Sequence, residues 1–565
     1  MAHHAHAPTD ALTEQDTAVL GRRAWPWIRN LLLTAVACIG VALLLALLFG
    51  ERGIQRFGFA YLIGYAFCFA AVLGCLFFTI ITTLFRAGWC VTVRRLAEVF
   101  AATVPTMALL FLPILLYVAS WSGVLYPWAQ SFDPAPHGVA LISPDGPFRG
   151  GPFDAIQATS SSARLIAEGA HPDAIADGAT PSPEAGQNPA GLIRQGMAAN
   201  QTTGGEHGVG HAADDHHHGD HHGDHHGPLG YSYVGEQDPE MGWYDGALQY
   251  FVELKQPWFN PWFFAARWVL YFGLLGAIGW FFWKRSVAQD ADGDLQHTHK
   301  REWWAPLSVF AFALLIMGVA LDLLLGLDPV FFSTMFGVTY FANAFTAGLA
   351  VIILLATFLK KKGFLPNVKT PHFHDLGKLL FAFVFFWGYV TFSQFMLIWY
   401  ASLPETTYWF ELRGITTVTG TVADARAATF GSGWSWVALS MLFLHLLVPF
   451  AVLLPAWSKR NEAVRTVMAV WLLVMVYVDF YWIAMPVLTS PGMDLGFLPI
   501  DVLVVVGLFA LTVAAALRRA AAHSLVAHRD PRLHEALALD TSVWAPMHRV
   551  DTPAPAPEGA PGHGH

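Results

Sequence analysis

Charge is what this chain has least of. Only 13% of its 565 residues are Asp, Glu, Lys or Arg, against 55% hydrophobic and 14% aromatic, a balance that leaves a soluble protein of this size short of polar surface. Cysteine is scarce as well. Cys38, Cys68, Cys75 and Cys90 lie in or at the ends of the first two apolar stretches, with no C-x-x-C pair and no C-x-x-C-H, which excludes covalent haem and cysteine-ligated clusters. Histidine is abundant overall but almost missing from the apolar stretches, where His445 alone lies well inside one. A b-type haem between helices needs a pair of such ligands, so no redox cofactor is expected on this chain.

What is present is a series of ten apolar stretches: 30–49, 59–83, 98–119, 260–283, 304–326, 334–359, 375–401, 434–456, 465–485 and 498–517. Each is long enough to cross a bilayer, for which about 20 residues suffice. Lys and Arg fall in every second connection: Arg22, Arg23 and Arg29, then Arg86, Arg94 and Arg95, then Lys284, Arg285, Lys300 and Arg301, then Lys360 to Lys362 and Lys369, then Lys459, Arg460 and Arg465, then Arg518 and Arg519. The positive-inside rule places both termini in the cytoplasm. Arg52 and Arg56 run against it. The first twenty residues lack a signal pattern, so the first span reads as a retained helix.

The net charge of -9 comes from connections and tails. Residues 1–29 read as a cytoplasmic lead, 30–128 as spans 1 to 3, 241–326 as spans 4 and 5, 327–485 as spans 6 to 9, 486–518 as span 10 and 519–565 as a cytoplasmic tail that ends disordered. Between them, 129–240 is rich in Gly, Ala, Pro, Asp and His without helical or strand periodicity and reads as a long disordered outer loop. Its run HGVGHAADDHHHGDHHGDHH, His207 to His226, suits adventitious or buffering metal binding, since irregular spacing sets no coordination shell.

An internal echo suggests duplication. Phe57-Gly58-x-x-Tyr61 opens the second span and Phe336-Gly337-x-x-Tyr340 the sixth. Trp283-Lys284-Arg285 closes the fourth, and Trp457-Ser458-Lys459-Arg460 the eighth. Asp322 precedes Pro329 as Asp479 precedes Pro486. The expected architecture is all-α and polytopic: two four-helix bundles, spans 2 to 5 and 6 to 9, with spans 1 and 10 outside them.

Ionisable residues inside spans are costly and point to function or to buried pairing. Asp479, flanked by Tyr477 and Tyr481, is a candidate for proton loading, with an ion pair as the bland alternative. Asp322, nearer the surface, favours the ion pair, and Arg267 lies at a depth where either aspartate is within reach. His445 precedes Pro449 by four residues, so its carbonyl loses a helical donor at an expected kink. It is a candidate relay or quinone-headgroup donor. Gln394, Ser393 and Tyr400 in span 7, with Asn343 and Thr346 in span 6, would extend a hydrogen-bonded chain. Pro105 and Pro113 mark expected bends in span 3.

The run HDLGKLLFAFVFFWGYVTFSQFMLIWYASLPE, His374 to Glu405, resembles the ActF subunit of bacterial alternative complex III, as do RAGWCVTVRRLAE, Arg86 to Glu98, and DPRLHEALAL, Asp530 to Leu539. The likeness covers about residues 30 to 540, and the His-rich loop departs from it. It implies an NrfD or polysulfide-reductase type subunit of a quinol oxidoreductase, packed in the inner membrane beside an ActC-like subunit. Multihaem c-type cytochromes and an iron-sulfur protein would carry the electrons. In that family ActC is the better supported quinol site, with ActF stabilising the membrane arm and a candidate for a proton path. A quinol site on this chain, or a secondary transporter built on repeats and buried charge, are the competing readings.

Overall fold

A computed structural model describes residues 19–120, 125–132, 252, 254–401, 403–415, 433–489 and 493–539. Residues 135–250 lie outside that set, and with them the His-rich run; residues 540–565 of the tail are outside it too. Every regular element among the described residues is helical. Ten of these helices are long and apolar enough to span: α1 (Gly21–Leu48), α2 (Gly50–Leu84), α3 (Val91–Ala119), α4 (Pro261–Asp292), α5 (Gln296–Leu327), α6 (Phe336–Lys361), α7 (Thr370–Ala401), α8 (Gly433–Leu453), α9 (Glu462–Ala484) and α10 (Leu495–Ala520). The chain is an all-α polytopic membrane protein.

Local chemistry sets several of the helix ends. Asn260 accepts from the backbone N–H of Trp262 and Phe263 with Pro261 at the first helical position, which satisfies donors the helix itself leaves open. Asn461 does the same for α9. Gly293, at φ 75, closes α4 in the left-handed region that favours glycine. The expected bend in α3 lies at Ala102 and Thr103, just before Pro105, and Pro113 is accommodated inside the second segment.

The helices pack as two four-helix bundles. In the first, α2 touches α3, α4 and α5, and α4 touches α3 and α5; in the second, α6 packs on α7 and α9, and α8 closes against both. The bundles join along α2 and α6. There a Cβ on Gly74 would stand 1.9 Å from the Ala344 carbonyl oxygen, and one on Gly348 would stand 2.5 Å from the Gly74 backbone. Small residues let apolar helices approach to backbone contact where lipid gives no hydrophobic drive. The peripheral helices α1 and α10 pack on each other and on α2.

The residues leading into α1 and those following α10 meet at one end of the helices, where Val19 bridges Ser524 and the Gly21 N–H donates to the Ala521 carbonyl. We call this the terminal face and the other the far face. From α10 the chain continues along the terminal face as a strap, Ser524 to Leu539. Asp530 of the strap binds Arg94 at 2.5 Å and Arg301 at 3.2 Å, and Lys369 reaches the Leu537 carbonyl. The loop expected to lack structure from residue 129 begins instead with an ordered turn, Pro127–Phe132. Burial of Trp128, whose indole donates to the Gly326 carbonyl at 3.0 Å, anchors it.

Candidate functional site

The aspartates that the echo equates have different surroundings. In the first bundle Arg267 grips Asp322 through two bonds, Nε at 2.8 Å and Nη2 at 2.9 Å, while Tyr271 donates at 3.0 Å and the Trp258 indole at 3.1 Å. The remaining guanidinium nitrogen donates to the Trp258 carbonyl. Such a fully bonded pair is neutral and rigid, the form in which buried charge is tolerated.

In the second bundle Asp479 takes Nδ2 of Asn343 at 2.6 Å and Nε1 of Trp387 at 2.8 Å. Among the described residues no cation lies within salt-bridge distance of it. Arg267 therefore pairs with Asp322 and not with Asp479. The Asp479 carboxylate is 3% exposed and rests on neutral donors alone.

His445 lies face to face with the other side of this arrangement. Its ring stacks on Trp387 with centroids 3.9 Å apart, and neither ring nitrogen has a hydrogen-bond partner among the described residues. The expected kink takes the form of a π-helical turn, Leu442–Leu447, just ahead of Pro449. The widened turn leaves the Leu444 carbonyl to accept from the Trp471 indole at 2.7 Å. Such turns recur at functional sites. Counted back from the matching tryptophans Trp283 and Trp457, Tyr271 and His445 occupy the same place in the two bundles. Tyr271 bonds its aspartate directly; His445 meets Asp479 only through Trp387.

Other expected members divide. Asn343 and Gln394 are buried, and the side-chain oxygens Asn343 Oδ1, Thr346 Oγ1, Thr391 Oγ1 and Gln394 Oε1 have no partner among the described residues. Trp387, Thr391 and Gln394 are spaced four and three residues apart, on one face of α7 over about 10 Å. Ser393 and Tyr400 do not belong to this row: Ser393 bonds the Tyr389 carbonyl and Tyr400 is 86% exposed. Tyr477 and Tyr481 do not belong either. They stand two residues either side of Asp479, and two residues is more than half a helical turn, so their hydroxyls face away.

They belong to a site the sequence reading did not anticipate. Tyr481 donates to Asp501 at 2.9 Å, Tyr477 reaches the Asp501 carbonyl at 3.4 Å, and Arg56 closes on Asp501 at 2.6 Å. The arginine that ran against the charge rule is thus a buried ion pair joining α2 to α10. A second unanticipated cluster caps the far face, where Tyr408 donates to Asp328 and Arg413 donates to the carbonyls of Trp409, Trp482 and Ile483. Burial pushes the Asp328 carboxyl above the usual range against the pull of Tyr408 and Arg413. Neither cluster was legible because its partners are brought together from different helices and connections. The four cysteines are all unpaired.

No protein-family model matches the chain, and no curated protein is significantly similar to it.

Proposed function

We propose that this chain is the ActF-like membrane subunit of an alternative complex III, a quinol-oxidising electron-transfer assembly of the bacterial cytoplasmic membrane. It holds no redox centre of its own, and its second bundle supplies a proton-loading carboxylate, Asp479. Its expected partners are an ActC-like subunit, multihaem c-type cytochromes and an iron-sulfur protein. The resemblance of His374 to Glu405 supports membership of the complex.

The observation that carries the proton reading is the contrast between the two aspartates. Asp322 is neutralised by Arg267, so its charge is spent on structure. Asp479, in the same place in the other bundle, has only Asn343 and Trp387 as donors among the described residues. A buried carboxylate without a counter-ion exchanges protons at a modest cost, because its neutral form suits the apolar surroundings. The row of unpartnered oxygens on α6 and α7 offers acceptors for internal water on the way to it, since buried polar atoms without protein partners are satisfied by water.

A quinol site at His445 would need that imidazole at a lipid-accessible cleft, and full burial against Trp387 speaks against it. The deciding experiment is a mild-detergent pulldown of the tagged chain with a haem spectrum and mass spectrometry of what accompanies it. Copurifying c-type haem, an iron-sulfur subunit and an ActC-like protein are expected. A colourless single chain would overturn the assignment in favour of a secondary transporter.

A further inference from the structure

The two bundles supply different atoms at matching positions. Counted back from Trp283 and Trp457, as for Tyr271 and His445, Arg267 of the first bundle corresponds to Met441 of the second. Counted on from Phe57 and Phe336, Gly64 and Phe67 of the first correspond to Asn343 and Thr346 of the second. The first bundle thus carries the counter-cation of its aspartate covalently, in Arg267. The second has a thioether in that place, and gains two oxygen-bearing side chains on α6, the helix from which Asn343 reaches Asp479.

Both donors to Asp479, Asn343 Nδ2 and Trp387 Nε1, reach the same oxygen, Oδ2, and among the described residues Oδ1 receives no hydrogen bond. Asn343 Oδ1 and Thr346 Oγ1, on two fully buried residues, have no partner among the described residues either. The threonine is the telling one. Inside a helix a threonine hydroxyl ordinarily turns back to the carbonyl one turn earlier, as Thr79, Thr83, Thr357 and Thr512 do at 3.0, 2.8, 2.7 and 2.9 Å. Thr346 does not, although it stands three residues after Asn343 and shares its face of α6. Three buried oxygens with acceptor capacity thus lie on α6 and α9, and one of them carries a charge of the kind that is tolerated in a membrane only when something balances it.

We propose that Asp479, Asn343 and Thr346 form a sodium site, in which Asp479 Oδ1, Asn343 Oδ1 and Thr346 Oγ1 hold the ion and water completes its shell. Carboxylate, amide and hydroxyl oxygens are the ligands of hard cations. Charge selects among these: a monovalent ion makes the buried site neutral, whereas a divalent one would leave a positive charge in the membrane. Potassium is larger and asks for more oxygens than this set offers. Asn343 serves both states of the carboxylate, because a half-turn of its amide exchanges Nδ2 for Oδ1; it donates to the bare carboxylate and turns its oxygen to the ion. Thr391 and Gln394, whose oxygens have no partner among the described residues, offer acceptors for the ion's water on the face of α7 that carries Trp387. The inference rests on the reading of Asp479 as a proton-loading carboxylate without a counter-ion, and makes sodium a competitor of the proton there. It does not depend on the assembly proposed above.

The test is thermal unfolding of the purified full-length chain in detergent and mildly alkaline buffer, with choline chloride replaced stepwise by sodium chloride so that screening stays constant. The wild-type midpoint should rise with the logarithm of the sodium concentration, as binding to the folded state requires, and potassium should not reproduce the rise. Asp479→Asn should lose the response. Thr346→Val keeps the shape without the hydroxyl and should raise the sodium concentration needed by about tenfold or more. Ser393→Ala, whose hydroxyl is bonded to the Tyr389 carbonyl, should leave it unchanged. Acid should raise it by about tenfold per pH unit once the carboxylate protonates, since ion and proton compete. If Asp479→Asn does not yield folded protein, Thr346→Val and the acid titration carry the test. A midpoint indifferent to sodium, an equal rise in potassium, or a full response in Asp479→Asn or Thr346→Val would each overturn the proposal. Loss of proton translocation in Asp479→Asn with no sodium response in the wild type would overturn the sodium site and leave the proton reading standing. A sodium response that Asp479→Asn abolishes while translocation persists would support the site and remove the proton reading.

Discussion

Trp387 donates its indole N–H to Asp479 at 2.8 Å, and among the described residues this carboxylate, unlike its counterpart Asp322, is held without any cation. From that relationship follows the sharpest functional expectation. Asp479→Asn keeps the shape and the contact with Trp387 but cannot take up a proton. In the intact complex, quinol oxidation and assembly should persist while proton translocation by reconstituted vesicles is lost. Undiminished translocation would remove Asp479 from the path.

Trp387 has two tasks that substitution can separate. Phenylalanine removes the donor but keeps a ring over His445, so Trp387→Phe should lower stability by about 1.5–3 kcal/mol, the range for a hydrogen bond to a charged group. Trp387→Leu should lower it further, because the stacked face is lost as well. Thermal unfolding in detergent distinguishes them, and identical midpoints would mean that the stacking on His445 contributes nothing.

Arg267→Leu should abolish accumulation of folded protein, since stranding Asp322 in the membrane costs about 3–5 kcal/mol. The double change Arg267→Leu with Asp322→Leu should recover much of the yield, because no buried charge is then left alone. Wild-type yield from the single variant would show that the pair is not needed.

Gly348→Ala should destabilise by about 1–3 kcal/mol, the usual cost of overpacking, because its new methyl would meet the α2 backbone at Gly74 and Cys75. Gly273→Ala is the control. Nothing lies within 4 Å of a Cβ there, and the change should be neutral or stabilising by a few tenths of a kcal/mol. Similar melting temperatures for the two would argue against close contact between the bundles.

The strap should loosen in acid. Burial alone would raise the Asp530 carboxyl, but Arg94 and Arg301 outweigh it and hold it below the usual range. A carboxylate depressed in the folded state contributes stability above its unfolded value, about pH 3.9, and that contribution is lost as pH falls through the folded value. Limited proteolysis should therefore cut the strap only below about pH 4 in the wild type, and at neutral pH in Asp530→Asn. Protection of the variant at neutral pH would place the hold elsewhere.

The amino-acid sequence by itself determined the ten spans, because crossing a bilayer demands runs of apolar residues that nothing else in the chain resembles, and the two bundles were legible through the echo of Phe-Gly-x-x-Tyr, Trp-Lys-Arg and Asp-Pro. It also placed Asp322, Asp479, Arg267 and His445 in the membrane. Only the tertiary structure decided which of them meet. Arg267 could reach either aspartate by depth, and helix rotation settled it on Asp322. Tyr477 and Tyr481 sit beside Asp479 in sequence but point to Asp501 across a different interface, and Arg56, an exception to the charge rule when read alone, finds that same Asp501 445 residues away. Hydropathy is written along the chain, one residue after another. Pairing depends on the angle at which each helix presents a side chain to its neighbour, and that angle is set by packing such as the contact of Gly74 with Gly348, which no local pattern encodes.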